Sequence, residues 1–176
     1  MKYTLKTLSI LLGYPQDEFR KLVENPEDVY ELLSLEDEEI ARLIYNFLKG
    51  IDPEKADEIY VSIFELPAKC PLYAHYYIVK DKEGELGRFL LEIKGQFKMH
   101  GYDIPAGKEI PDYLPAMLEF LSLIVERDKR SAAKFAKRYI KTWTKKFKAC
   151  VERNNRVYLP VAEALDRVMD KLLESS

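Results

Sequence analysis

The residues best suited to chemistry in this chain are carboxylates that stand beside aromatic and apolar side chains in one short motif. The stretch EIPDYLPAMLEF, residues 109–120, carries three carboxylates and a tyrosine. A carboxylate pairs with ammonium and guanidinium groups, and a guanidinium can donate two parallel hydrogen bonds to it. At the rim of an apolar groove such groups favour a basic peptide. The predicted peptide-binding residues of this motif are Glu109, Pro111, Asp112, Tyr113 and Glu119.

Aromatic residues upstream of this motif are candidates for the apolar wall of the groove. They form one pair in the stretch YVSIF and one cluster in the stretch LYAHYY. A tyrosine can instead pack its ring in the core and keep its hydroxyl at the surface, and that alternative stays open for each of them. The predicted wall residues are Tyr60, Phe64, Leu72, Tyr73 and Tyr76.

Catalytic motifs are missing from the sequence. It has no glycine-rich phosphate loop, no nucleophile elbow and no histidine pair with metal-ligand spacing. We therefore predict that the chain is not an enzyme and holds no metal or cofactor. Cys70 and Cys150 are expected to be reduced thiols that pack as small apolar residues. A nucleophilic Cys70 activated by Lys69 is a minor alternative.

Charge is distributed unevenly along the chain. Residues 16–65 hold 15 acidic and 5 basic side chains, whereas residues 127–153 hold 11 basic and 2 acidic ones. The basic stretch also carries Phe135, Tyr139, Trp143, Phe147 and Val151 about one helical turn apart, which predicts a buried stripe beneath a solvated positive face. A nucleic-acid interface on residues 129–148 is the alternative, although the sequence shows no recognisable reading motif there.

Helical periodicity of apolar residues runs through nearly the whole chain and predicts an all-α fold. We expect a single-domain compact helical bundle over residues 1–176, with about eight or nine helices and a central loop at 101–112. Ser34 with Asp37, Asp52 with Pro53, and Asp112 are the expected helix starts. The predicted helices include one through Leu12, those that follow Ser34 and Asp52, and those at 85–100, 114–127, 131–152 and 160–173.

Targeting signals are also absent from the sequence. The N-terminal stretch lacks the apolar centre and cleavage site of a secretory signal, and no apolar run reaches about 18 residues. We therefore expect a cytoplasmic protein that does not insert into the membrane.

The order of motifs resembles the TorD/DmsD/NarJ superfamily of maturation chaperones for molybdenum-containing redox enzymes. The resemblance rests on LLGYP near the start, YVSIFELPAKCPLYAHYY at 60–77 and EIPDYLPAMLEFLSLI at 109–124. It is closest to the nitrate reductase delta subunit (NarJ-like) branch, and it covers roughly residues 8–125.

This resemblance implies an all-helical cytoplasmic chaperone without catalytic activity. Its partner would be the catalytic subunit of a molybdopterin oxidoreductase, bound through an N-terminal leader of twin-arginine or vestigial type. The chaperone would assist cofactor insertion and assembly before export or membrane attachment, and no nucleic acid is expected. Glu109, Pro111 and Asp112 match the Glu-x-Pro-Asp positions implicated in leader binding. A homodimer or swapped dimer that covers the aromatic surface is compatible with this prediction.

Two departures from the family pattern set this chain apart. Tyr113 stands where a histidine commonly follows the aspartate, and the run at 84–87 reads Gly-Glu-Leu-Gly where the family often has Arg-x-Arg-Gly. These departures suggest a client other than a standard nitrate reductase.

Overall fold

The chain folds into helices joined by short turns. The computed structural model describes residues 1–80, 84–104 and 109–174. These ranges contain eleven α-helices, a π-helical turn at Lys137–Lys141 and a 3-10 turn at Arg156–Tyr158. The helices are α1 (Lys2–Leu11), α2 (Asp17–Glu24), α3 (Pro26–Ser34), α4 (Glu38–Gly50), α5 (Ala56–Phe64), α6 (His75–Ile78), α7 (Glu85–Met99), α8 (Leu114–Ile124), α9 (Lys129–Ala136), α10 (Thr142–Asn154) and α11 (Leu159–Glu174).

The predicted all-α class is confirmed. In the described ranges the only β-type pairing is a single antiparallel bridge between Tyr73 and Tyr113. The helices are slightly more numerous than expected because α2, α3 and α6 are short separate segments. Of the predicted central loop, residues 101–104 and 109–112 are free of helix, and 105–108 lie outside the described residues. The assignment of 1–176 to one domain stays a prediction.

Two predicted helix starts are wrong in detail. Ser34 is the last residue of α3, where its hydroxyl donates to the carbonyl of Tyr30, and Asp37 alone caps α4 by accepting from the Ile40 amide at 2.9 Å. Asp52 accepts from the Glu54 amide at 3.0 Å, but the chain makes a turn there, and α5 begins only at Ala56. Local side-chain bonds of this kind stabilise turns as readily as helix starts.

The helices pack around a core to which α11 contributes one long apolar face. Helix α1 lies along α8, α3 and α4 form a hairpin, and α11 packs against α4, α9 and α10. Aromatic rings fill the space between them. One such cluster joins Phe97, Phe120 and Phe135 at centroid distances of 4.7–5.9 Å.

The basic stretch forms one continuous helical rod from α9 through the π-helical turn to α10. Its five predicted stripe residues are all buried, which confirms the expected inner face. The Trp143 indole donates to the backbone carbonyl of Tyr139 at 2.7 Å. This carbonyl of the π-helical turn therefore accepts a hydrogen bond from a side chain. A side chain that enters the hydrogen-bond ladder in this way accompanies local widening of a helix.

The two cysteines are joined in a disulfide, so the prediction of two reduced thiols is wrong. Cys70 and Cys150 are 80 residues apart in sequence, and their Cα atoms are 5.8 Å apart. The bond ties the segment before α6 to α10, because Cys70 lies in that segment and Cys150 lies in α10. It also removes the alternative of a nucleophilic Cys70, since neither sulfur is a free thiol.

Candidate functional site

A groove of about 510 Å³ lies where α1, the turn after it and the start of α8 meet. Its apolar and aromatic lining includes Ile10, Tyr14, Phe19 and Tyr113. Its charged lining consists of Lys6, Asp17, Glu18 and Glu119. We call this feature the α1–α8 groove. Three carboxylates against one ammonium group give the groove an excess of negative charge.

The sequence LLGYP shapes one side of this groove. Helix α1 ends at Leu11, and residues 13–15 redirect the chain towards α2. This turn leaves the Tyr14 ring 43% exposed, and the ring meets Tyr60 edge to face at 5.5 Å. Asp17 and Glu18 then fall in the first turn of α2, where the helix dipole favours negative charge. The turn therefore presents an aromatic ring and two carboxylates side by side.

The opposite side of the groove is fixed by contacts between α1 and α8. The Ser9 hydroxyl donates to the carbonyl of Pro115 at 2.8 Å. Glu119, one turn further along α8, accepts from the Lys6 ammonium at 2.6 Å and from the Tyr102 hydroxyl at 3.3 Å. Burial raises the pKa of Tyr102, and the charge of Glu119 raises it further, so this phenol stays protonated and donates.

A chain of hydroxyl groups leads from the groove into the core. The Tyr60 hydroxyl lies 3.1 Å from that of Tyr113 and donates to the carbonyl of Leu12 at 3.3 Å. Burial is the main cause that raises the pKa of each phenol, and Glu109 and Glu65 add to it at Tyr113, where the bond with Tyr60 opposes the rise.

Backbone pairing brings the two predicted motifs together. The Ala74 amide donates to the carbonyl of Asp112 at 3.1 Å, and the Leu114 amide donates to that of Leu72 at 2.7 Å. The rings of Tyr73 and Tyr113 consequently lie 5.2 Å apart. The Tyr73 hydroxyl donates to Glu109 at 3.2 Å, and its pKa is raised by burial and then by the charge of Glu109.

Asp112 is fully buried, which corrects its predicted place at an exposed acidic rim. One carboxylate oxygen accepts from the backbone amide of His75 at 2.8 Å and lies 2.7 Å from Nδ1 of its imidazole. The other oxygen has no partner among the described residues. Asp112 is not the helix cap either, because the N-cap position of α8 is Tyr113 and no side chain caps it. The aspartate instead joins the motif 109–114 to α6.

The structure brings most of the predicted residues close together, but only two of them line the groove. Tyr60, Tyr73, Glu109, Asp112 and Tyr113 form one cluster, and Tyr113 and Glu119 line the groove. Pro111 is half-buried in the turn before Asp112.

The other three predicted residues border this cluster without lining the groove, and the Phe64 ring lies 5.1 Å from that of Tyr60. Phe64 and Leu72 belong to the core, where Phe64 packs on Phe147 and Tyr158. Tyr76 is 65% exposed and packs on His75, with 4.4 Å between ring centroids.

Sequence reasoning missed the groove residues of α1 and of the turn that follows it. Lys6, Ile10, Tyr14, Asp17 and Glu18 line the groove but were not predicted as site residues. The motif LLGYP carries the family resemblance and contains Tyr14, so that motif was the available signal.

The basic face of α9 and α10 exposes none of its five stripe aromatic and apolar side chains. Several of its cations pair with carboxylates. The pairs are Arg138–Glu92, Lys141–Asp166, Lys141–Asp170 and Lys148–Glu163. The alternative function on residues 129–148 therefore finds no support.

The described residues form neither a metal-binding cluster nor a membrane-spanning helix. Their His, Cys, Asp and Glu side chains form no group of three or more that could hold a metal ion. Their helices include none that is both long and apolar enough to span a membrane.

The fold matches that of a protein whose crystal structure is known. A crystal structure of an Archaeoglobus fulgidus protein, described as a candidate redox enzyme maturation protein, superposes with a TM-score of 0.66. The match covers 97% of this chain and 94% of the other, at 24% sequence identity.

Sequence comparison gives the family. The model of the nitrate reductase delta subunit family matches residues 31–158, and the chain belongs to this family. A Bacillus subtilis (strain 168) protein assigned as the nitrate reductase molybdenum cofactor assembly chaperone NarJ is 27% identical over 172 residues. That alignment covers 96% of this chain and 89% of the relative. The predicted resemblance is thus confirmed, and the relative's name is that of a chaperone and not of an enzyme.

Proposed function

We propose that the chain is an assembly chaperone for a molybdenum-containing oxidoreductase of the nitrate reductase type. In this proposal it binds the N-terminal leader of the catalytic subunit in the α1–α8 groove and holds that subunit while the cofactor is inserted. The name of the Bacillus subtilis relative supports the chaperone role. Membership of the nitrate reductase delta subunit family supports the type of client.

The observation that carries the proposal is the composition of the groove wall. A leader with two arginines and an apolar stretch needs carboxylates beside an apolar surface. Tyr14, Tyr113 and Ile10 provide that surface, and Asp17, Glu18 and Glu119 provide the negative charge. The half-exposed Tyr14 ring is a large apolar group that a bound peptide would cover, as buried aromatic anchors do in other interfaces.

In this proposal Asp112 and His75 support the groove without lining it. Their contact fixes the turn that presents Tyr113, and the Tyr73–Tyr113 bridge fixes it from the side. Asp112 therefore positions the binding surface and does not itself meet the client, because its side chain has no exposed surface.

The proposed location is the cytoplasm, where a maturation chaperone meets its client before export or membrane attachment. A disulfide is uncommon in that compartment but occurs in the intracellular proteins of hyperthermophiles. Without a leader, Tyr14 leaves apolar surface exposed in the groove, and a homodimer that covers this surface is part of the proposal.

The decisive experiment is co-purification of the tagged chain with the catalytic subunit of a molybdenum-containing oxidoreductase from the same organism. The subunit is expressed both complete and without its first few dozen residues. We expect capture of the complete subunit only, because the leader carries the groove-binding residues. Equal capture of both forms would contradict leader binding.

Two tyrosine variants locate the binding surface in the same assay. Tyr14→Ala removes a 43% exposed ring from the groove, whereas Tyr3→Ala removes a 49% exposed ring that does not line the groove. Tyr14→Ala is expected to weaken capture by roughly tenfold, the usual cost of a moderate interface anchor, and Tyr3→Ala to leave it unchanged. The reverse order would place the leader elsewhere on the molecule.

A further inference from the structure

Glu119 is the carboxylate in the groove that already holds a cation. Its oxygen accepts from the Lys6 ammonium at 2.6 Å, and the Lys6 side chain is 42% exposed. Its second oxygen accepts from Tyr102. The charge that would attract a basic peptide to this point is therefore neutralised by the chain itself.

The Lys6 side chain can leave Glu119 without any rearrangement of the backbone. Lys6 lies in α1, which is fixed to α8 by the Ser9–Pro115 bond one turn away. The lysine side chain is flexible and strongly hydrated, so its ammonium group can move into water. An exposed ion pair of this kind contributes only a little to stability. Its loss on ligand binding is consequently a small cost.

Replacement of Lys6 at Glu119 by a cation of the client favours arginine over lysine. A client ammonium group that replaces Lys6 forms the same single contact, so the exchange gains nothing. A guanidinium group can instead donate two parallel hydrogen bonds to the carboxylate, and the Tyr102 hydroxyl can remain in place because each oxygen accepts more than one bond.

We propose that Lys6 is an intramolecular stand-in for a client cation, and that its displacement from Glu119 makes the groove selective for arginine. This inference rests on the proposed leader binding and adds a threshold to it. A peptide must form a more favourable contact with Glu119 than Lys6 does.

The test uses two synthetic peptides with the same apolar stretch, one preceded by Arg-Arg and the other by Lys-Lys. Their affinities are measured by calorimetric titration for the wild-type chain, Lys6→Met, Glu119→Gln and the double variant. Lys2→Met is the matched control, because Lys2 lies in the same helix, is 43% exposed and pairs with Glu126, which does not line the groove.

We expect Lys6→Met to tighten binding of the Arg-Arg peptide by roughly two- to fivefold, the range of an exposed ion pair, beyond any effect of Lys2→Met. In the Glu119→Gln background this extra gain should vanish, and the preference for Arg-Arg over Lys-Lys should decrease. A gain no larger than that of Lys2→Met, or one that persists without Glu119, would overturn the stand-in role alone. If neither peptide binds any form of the chain, leader binding fails, and the stand-in role fails with it.

Discussion

At the scale of single residues, Asp112 determines how the motif 109–114 is built. One oxygen of its buried carboxylate accepts a hydrogen bond from the backbone amide of His75 and contacts the imidazole of that residue. The other oxygen has no partner among the described residues. A buried carboxylate needs such donors to offset the loss of water. In the sequence, Asp112 looks most like a residue that binds a peptide. In the structure, its side chain instead holds α6 against the start of α8.

Asp112→Asn should lower the free energy of unfolding by about 1–3 kcal/mol, because the amide NH2 group would replace the unpartnered oxygen and leave buried donors unsatisfied. Urea denaturation followed by circular dichroism measures the change. Glu109→Gln is the control, since that half-buried side chain can still accept from Tyr73, and it should change stability by less than about 0.5 kcal/mol. Equal stability of the Asp112→Asn and wild-type chains would contradict this role.

At the scale of elements, α7 shows how backbone conformation ends a helix. The helix stops at Met99, and Gly101 follows with φ of +74°. The Gly101 amide donates to the carbonyl of Lys98, and the Tyr102 amide donates to that of Phe97. Glycine adopts this left-handed conformation without the steric cost that a side chain imposes. The position of Tyr102, and through it one contact of Glu119, depends on this stop.

Two glycines of the same region give opposite predictions. Gly101→Ala should destabilise the protein by about 1 kcal/mol, because a Cβ atom is strained at positive φ. Gly95→Ala should stabilise it by about 0.5–1 kcal/mol, since Gly95 lies inside α7 and a Cβ there meets no atom within 4 Å. Thermal unfolding of both variants measures the difference, and a shift of the same sign in the two would contradict the argument.

At the scale of the whole molecule, the disulfide connects parts of the chain that are distant in sequence. The segment between Cys70 and Cys150 includes α6, α7, α8 and α9, so the bond restricts a large part of the unfolded chain. In the folded protein, the stacked rings of Tyr77 and Trp143, 4.6 Å apart, hold the same two regions together. The covalent bond and the ring contact therefore act on one junction.

Reduction of this bond should lower the free energy of unfolding by about 2–4 kcal/mol, because the unfolded chain gains conformational freedom. Denaturation with and without a phosphine reductant measures the effect, and Cys150→Ser should match the reduced wild-type chain. The Cys150→Ser chain is the internal control, since its stability should not respond to reductant. An unchanged wild-type stability after confirmed reduction would contradict the prediction.

The fold was predictable because helical periodicity is a local property. The apolar stripe of α9 and α10, the stop at Gly101 and the all-α class all follow from residues close together in sequence. The pairing of Cys70 with Cys150 was not predictable, because connectivity over 80 residues depends on tertiary structure. The cap expected at Asp112 failed for the same reason, since His75, 37 residues away, takes up its carboxylate.

Only the side of the candidate site that is built from a sequence motif was predictable. Tyr113 and Glu119 lie in the most specific motif and line the groove. Lys6, Asp17 and Glu18 are ordinary charged residues of amphipathic helices, and only the packing of α1 along α8 brings them to the same place. Apolar periodicity identifies the buried face of a helix, but it does not identify the helix that packs against that face.

The layout of the groove wall has a consequence for how such chaperones can be re-engineered. The family model matches residues 31–158, whereas Lys6, Tyr14, Asp17 and Glu18 precede that region. Most of the lining is thus encoded by one short contiguous stretch, residues 6–19, which contacts α8 through the Ser9–Pro115 hydrogen bond, the Lys6–Glu119 ion pair and apolar packing. If the groove binds the leader as proposed, client preference can be transferred between relatives together with this stretch. A chimera that exchanges this stretch between two relatives would change the cargo while the scaffold that presents Tyr113 and Glu119 stays the same.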